Sequence, residues 1–158
     1  MSPGFTAERP SWSRDAVWAA EVGREIDPDA TDPRTHVTTG VLVDDDGHRF
    51  DEPLVSGESS EWFVKADAHL RGYLKAPAVR NPRLAAVPSA SHVEVHAAMI
   101  MLERGLTHAT LVINNDRICR GLFGCRQAVA AVLPEGSSLT VWTRGAQVPS
   151  ELEGRRRA

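Results

Sequence analysis

The 158-residue chain has no run approaching 18 consecutive apolar residues, which excludes a membrane-spanning helix. Its opening, MSPGFTAERP, has no basic segment leading into an apolar one, so no signal peptide is expected and the chain reads as soluble. Cysteine is nearly absent, with only Cys119 and Cys125, whereas a secreted disulfide scaffold carries more cysteines in a shorter chain. Their closeness leaves a bridge, a metal pair or chance, and a bridge closing so small a loop would stabilise little. Positive charge is also short: 18 Lys and Arg against 21 Asp and Glu give a net charge of −3. That balance excludes a protein that coats nucleic acid by bulk electrostatics, so any phosphate contact must be local. The local candidates are Arg80 and Arg83 around a Pro-rich connector, and Arg117, Arg120 and Arg126 near the cysteines.

What is present fits one domain, long enough to bury a core without disulfides or a structural metal. Residues 1–33 read as a lead segment with a peripheral helix in SWSRDAVWAAEVGREI, where Ser13 is the expected N-cap and Trp18, Val22 and Ile26 recur every fourth residue. Residues 34–145 read as the main domain, and 146–158 as a flexible tail whose Arg155, Arg156 and Arg157 form a frayed, solvated end. Val41 and Val43 alternate on one face before the turn signal Asp46-Gly47, which predicts an antiparallel pair with a short strand near PLVSG. SSEWFVKADAHLRGYL predicts a serine-capped amphipathic helix covering the sheet, through Trp62, Phe63, Ala66 and Leu70.

The next segment, KAPAVRNPRLAAVPSAS, carries too many prolines for a helix or central strand and reads as a loop delivering the chain to His92. Val95, Ala98, Met99 and Leu102 then take helical spacing, with Gly105 just past the last turn. ATLVIN is a continuous apolar run suited to a strand buried on both faces. Cys125, Ala128, Val129 and Val132 restore helical spacing until Pro134, and SSLTVWTRG reads as the last strand. The predicted fold is α/β: a central mixed sheet with two helices on one face whose N-termini meet.

That arrangement brings His92 near Cys119 and Cys125. One imidazole and two thiolates make a Cys₂His set, which leaves the fourth tetrahedral position of zinc open, as catalytic sites do. Helix N-termini favour the thiolate form that ligation needs. Zinc lowers the pKa of a bound water toward ~7, and Glu94, two residues beyond His92, is placed to move its proton. An H-x-E followed by a cysteine pair is the pattern of zinc-dependent nucleobase deamination. A metalloprotease helix would instead place the glutamate directly after the first histidine. His96 reads as a helix-face residue. A binding module with a structural zinc uses the same ligands, but it has no need of a carboxylate beside an open position.

SHVEVHAAMIMLERGLTHATLVINND, the paired-cysteine loop and VLPEGSSLTV together resemble the bacterial polymorphic-toxin DNA cytosine deaminases, the DddA-like family. TTGVLVDDDGHRFDEPLVSGE resembles that family's opening hairpin, ending in Ser-Gly. The resemblance runs from about Thr38 to Val141 and implies a cytidine-deaminase-like fold of α-β-α layers. It implies His92, Cys119 and Cys125 as zinc ligands, Glu94 as proton shuttle, and Asn114 and Asn115 at the pocket. The main chain at Val93 would meet the cytosine edge, with Phe123 stacking on a base and Arg120 among the substrate contacts. The spacing Cys-Arg-Gly-Leu-Phe-Gly-Cys departs from the general C-x-x-C signature. The implied activity is hydrolysis of cytosine to uracil in DNA by a monomeric toxin domain delivered to a target-cell cytoplasm, with a cognate immunity protein as partner. Single-stranded DNA is favoured as substrate. Duplex DNA, or a free cytidine or nucleotide, remains an alternative.

Overall fold

A computed structural model describes residues 9–26, 38–50, 52–57, 60–73, 88–115, 118 and 125–156. Five strands form one mixed sheet in the order β2-β1-β3-β4-β5: β1 (Thr39–Asp44), β2 (Leu54–Val55), β3 (His108–Ile113), β4 (Ser138–Trp142) and β5 (Ser150–Glu153). β1 pairs antiparallel with both β2 and β3, β3 runs parallel to β4, and β5 closes the far edge antiparallel to β4. The α-helices are α1 (Ala16–Glu25), α2 (Glu61–Tyr73), α3 (Val93–Arg104) and α4 (Cys125–Val132). The expected mixed sheet with α3 and α4 on one face, and a helix layer on the other, is the observed architecture.

β3 is central because it can be buried on both sides. Leu111 and Ile113 join the larger core under α3 and α4, while Val112 clusters with Ala19 and Val22 of α1 and with Ile26 just past its end. A parallel β3–β4 pair needs a crossover, and α4 supplies it. The amphipathic pattern expected for α3 is exceeded: every residue from Val93 to Met101 is buried. Gly105 ends this helix at φ 68, a conformation that favours glycine. Ser60 caps α2 through its Oγ, which accepts from Trp62 N at 3.1 Å. α2 packs against α3, α4 and the 3-10 turn Pro88–Ser91, so it covers the helices where coverage of the sheet was expected.

The lead helix is capped by Asp15, whose side chain accepts from Val17 N at 2.8 Å. Ser13 does not serve as the cap, because it is buried in a preceding 3-10 turn with its Oγ donating to Pro10 O. That turn matters to the sheet, since Ser13 O accepts from Trp142 Nε1 at 2.8 Å. Arg9 adds a second tie: its guanidinium donates to Asp45 at 3.0 Å and to Thr140 Oγ1 at 3.0 Å. α1 therefore forms the second helical layer of the domain.

The segment 146–158 departs most from expectation. SSLTVWTRG does not hold the last strand, and Ser150–Glu153 adds a fifth at the edge of β4. Leu152 is buried in the main core. Arg156 is not a frayed end either: its backbone N–H donates to Leu133 O and its Nε to Val132 O. The physical reason is edge pairing, because β4 would otherwise present a row of unpaired backbone groups.

Candidate metal centre

The two helix starts that the fold brings together carry a group of side chains that could hold a metal ion. His92 is the N-cap residue of α3, in an extended conformation, and its side chain makes no capping bond. The imidazole is thus left for another task. Cys125 is the first residue of α4 and is buried. His92 Nδ1 lies 3.2 Å from Cys125 Sγ, and the Cys125 thiol donates to Glu94 Oε2 at 2.7 Å. One ligand atom from each of His92, Glu94 and Cys125 falls within 4.8 Å of the other two.

Burial governs the electrostatics. Removal from water pushes the Glu94 carboxyl up, and the hydrogen bond from Cys125 opposes that shift in part. Burial pushes the His92 imidazole down, toward the neutral form that can ligate a metal. A second grouping, Asp44, Asp46 and His48, lies at the β1 turn. There Asp44 Oδ1 already accepts from the N–H groups of Asp46 and His48, as an ordinary turn carboxylate does.

The family model for SCP1.201-like deaminases matches residues 11–158. The chain belongs to this deaminase family. No curated protein matches it. The matched range of this deaminase takes in α1 and β5 as well as the helices at the site.

The donor set fits zinc. Zinc–nitrogen and zinc–sulfur bonds of about 2.0 and 2.3 Å at a tetrahedral angle place two ligands about 3.5 Å apart, close to the 3.2 Å between His92 Nδ1 and Cys125 Sγ. Of the other expected site residues, Cys119, Arg120 and Phe123 lie outside the described residues, as do Arg80, Arg83 and Arg117. Val93 is fully buried, so its side chain belongs to the core and only its main chain could meet a ligand. Arg126 is directed to β5, where Nη1 donates to Glu151 O at 3.3 Å.

Asn114 and Asn115 are tied to the start of β1. Asn114 Oδ1 accepts from Thr39 N at 2.9 Å, and Asn115 Nδ2 donates to Thr38 Oγ1 at 3.3 Å. Asn114 also lines a cavity of about 370 Å³ on the α1 side, with Gly23, Trp142 and Arg144. From Thr38 the hydrogen bonds continue to Ser56, whose Oγ accepts from Thr38 N, and from Gly57 N to Ser91 O beside His92. Residue types alone did not point to Thr38, Ser56 and Gly57 as supports of the site. The available signal was the Ser-Gly at the end of the hairpin motif.

Proposed function

We propose that this deaminase converts cytosine to uracil in DNA with a bound zinc ion, as a DddA-like toxin domain acting on single strands in preference to duplex. The observation that carries the reading is the contact between His92, Glu94 and Cys125 at two joined helix N-termini. His92, Cys125 and Cys119 would hold the ion. When bound, zinc supplies a water whose pKa is lowered toward neutrality.

The net reaction adds water at C4, breaks the C4–N4 bond and releases ammonia. Glu94 takes a proton on a carboxylate oxygen, returns it to the ring nitrogen N3, and carries a second to the leaving amine. A carboxyl pushed up by burial is suited to this, since an acid that must both accept and return a proton works best with a pKa nearer the working pH. Ligation by Cys125 requires the thiolate, so the thiol proton now directed at Glu94 is gone and that oxygen is available. The main chain at Val93 is proposed to meet the cytosine edge. Asn114 and Asn115 would shape the pocket, with Phe123 stacking and Arg120 on phosphate. As a toxin domain it would meet a cognate immunity protein in its producer and act in a target-cell cytoplasm.

The test is uracil formation in matched single-stranded and annealed cytosine oligonucleotides, read by uracil excision and strand cleavage. Flipping a base out of a duplex costs a few kcal/mol, and a chain of net charge −3 has little general attraction for two strands of phosphate. The single strand is expected to react faster, with activity falling as salt rises because phosphate contacts release counterions. Equal or faster duplex reaction overturns the strand preference. Deamination of free cytidine alone overturns the DNA substrate.

A further inference from the structure

The second histidine of His-Val-Glu-Val-His is fully buried and sits one turn beyond His92. On a helix, residues four apart share a face, so His96 could have been a second ligand. The structure uses it otherwise: His96 Nε2 lies 2.8 Å from Ala90 O. A carbonyl can only accept, so Nε2 carries the proton and is committed to this bond. Nδ1 is buried and has no hydrogen-bond partner among the described residues.

Ala90 belongs to the 3-10 turn Pro88–Ser91 that leads directly into His92. Three successive carbonyls around this junction are each held. Ala90 O takes His96 Nε2, Ser91 O takes Gly57 N at 2.9 Å, and His92 O takes the amides of Val95 and His96 at 3.1 Å each. Gly57 sits at φ 132, where a side chain is strained, so that donor is delivered by a conformation that favours glycine. The Ser91–His92 peptide plane is therefore set by Gly57 and the His92–Val93 plane by the helix itself, while the His96 ring fixes the plane one residue upstream, between Ala90 and Ser91.

We propose that His96 is a positioning residue for the metal centre, pinning Ala90 so that the turn presents His92 Nδ1 to Cys125 Sγ. This rests on the reading of His92 and Cys125 as zinc ligands. Outer partners that orient metal-binding histidines typically change metal affinity or activity by 10–100-fold when removed. His96 does so here through the main chain, one residue removed from direct contact with the ligand ring.

The test is zinc affinity of the full chain, measured by chelator competition for the wild type, His96→Leu, His96→Met and His96→Gln, with circular dichroism to confirm folding. The two apolar variants should fold with reduced stability and lose zinc affinity by about 10–100-fold. His96→Gln retains a donor toward Ala90 and should recover most of the loss. A His96→Leu or His96→Met protein that folds and binds zinc as tightly as the wild type overturns the proposal and makes His96 an ordinary core residue. A wild type that holds no zinc overturns the proposed function itself. If neither apolar variant folds, exchange of the His96 Nε2 proton in the wild type decides. Exchange with fast reclosing reports the free energy of local opening, and coupling between free energies is reciprocal, so zinc must raise the opening free energy at His96, and an unchanged value overturns the proposal.

Discussion

The Cys125 thiol and the Glu94 carboxylate meet across 2.7 Å although 31 residues separate them in the chain. Each belongs to the first turn of a different helix, and both are buried. A carboxylate so placed can act on a proton without being a permanent ligand. Glu94→Gln should therefore keep the fold and the zinc while turnover drops by on the order of 10²–10⁴-fold, the usual contribution of proton transfer by a placed side chain. Loss of zinc in this variant would show Glu94 to be a ligand.

Elemental analysis of the purified chain should find close to one zinc per molecule. Cys125→Ser should lose most of it, because a neutral hydroxyl replaces a thiolate, and Cys119→Ser should do the same if it completes the set. Zinc-free protein with a disulfide between the two cysteines would rule out the centre.

Acid should destabilise the fold in a window set by His96. Burial is the larger cause of its depressed pKa, brought down to about 4 from 6.5, with the Ala90 hydrogen bond opposing. The unfolded chain therefore binds a proton near pH 6.5 that the folded chain refuses until about pH 4. Stability present above pH 6.5 is lost as pH falls toward 4, by up to roughly 3 kcal/mol. His108, pushed down by burial and then by the Arg9 guanidinium, contributes in the same direction. Denaturant unfolding between pH 7 and 4 should show this slope in the wild type and a flatter one in His96→Gln. Parallel slopes in the two proteins would place the acid sensitivity elsewhere.

The C-terminal strand should be needed for the fold. A Cβ at Gly154 would run into Pro134 O and sit 2.6 Å from Leu133 O, backbone atoms that cannot step aside. At Gly40 the nearest atom is the end of the Leu111 side chain at 2.9 Å, which can rotate. Gly154→Ala should cost more than Gly40→Ala, by about 1–3 kcal/mol for forced overpacking. Removing residues 150–158 should cost at least the roughly 1.5–3 kcal/mol of burying Leu152. Thermal melts of the three variants check the order. A truncated chain that melts with the wild type would return this segment to a dispensable tail.

The meeting of His92, Glu94 and Cys125 was legible in the chain because it follows from their positions at two helix starts, and helix starts leave local marks. β3 was legible for a similar reason: a strand buried on both faces must be largely apolar, and ATLVIN is, with only Thr110 and Asn114 polar. Gly105 marked the end of α3 because few other residues adopt its backbone angles at low cost. β5 left no such mark. Ser-Glu-Leu-Glu is mostly polar, and what makes it a strand is the open edge of β4, which exists only once the sheet has formed. The Asp15 cap was obscured because Ser13 has equal capping chemistry, and it is in the assembled fold that Ser13 sits in a buried turn, its carbonyl accepting from Trp142 across 129 residues. His96 shows the same division within one motif. Periodicity placed it on α3, but its Nε2 found Ala90 O through the packing of the preceding turn, and hydrogen bonds made through packing are decided by the assembled fold.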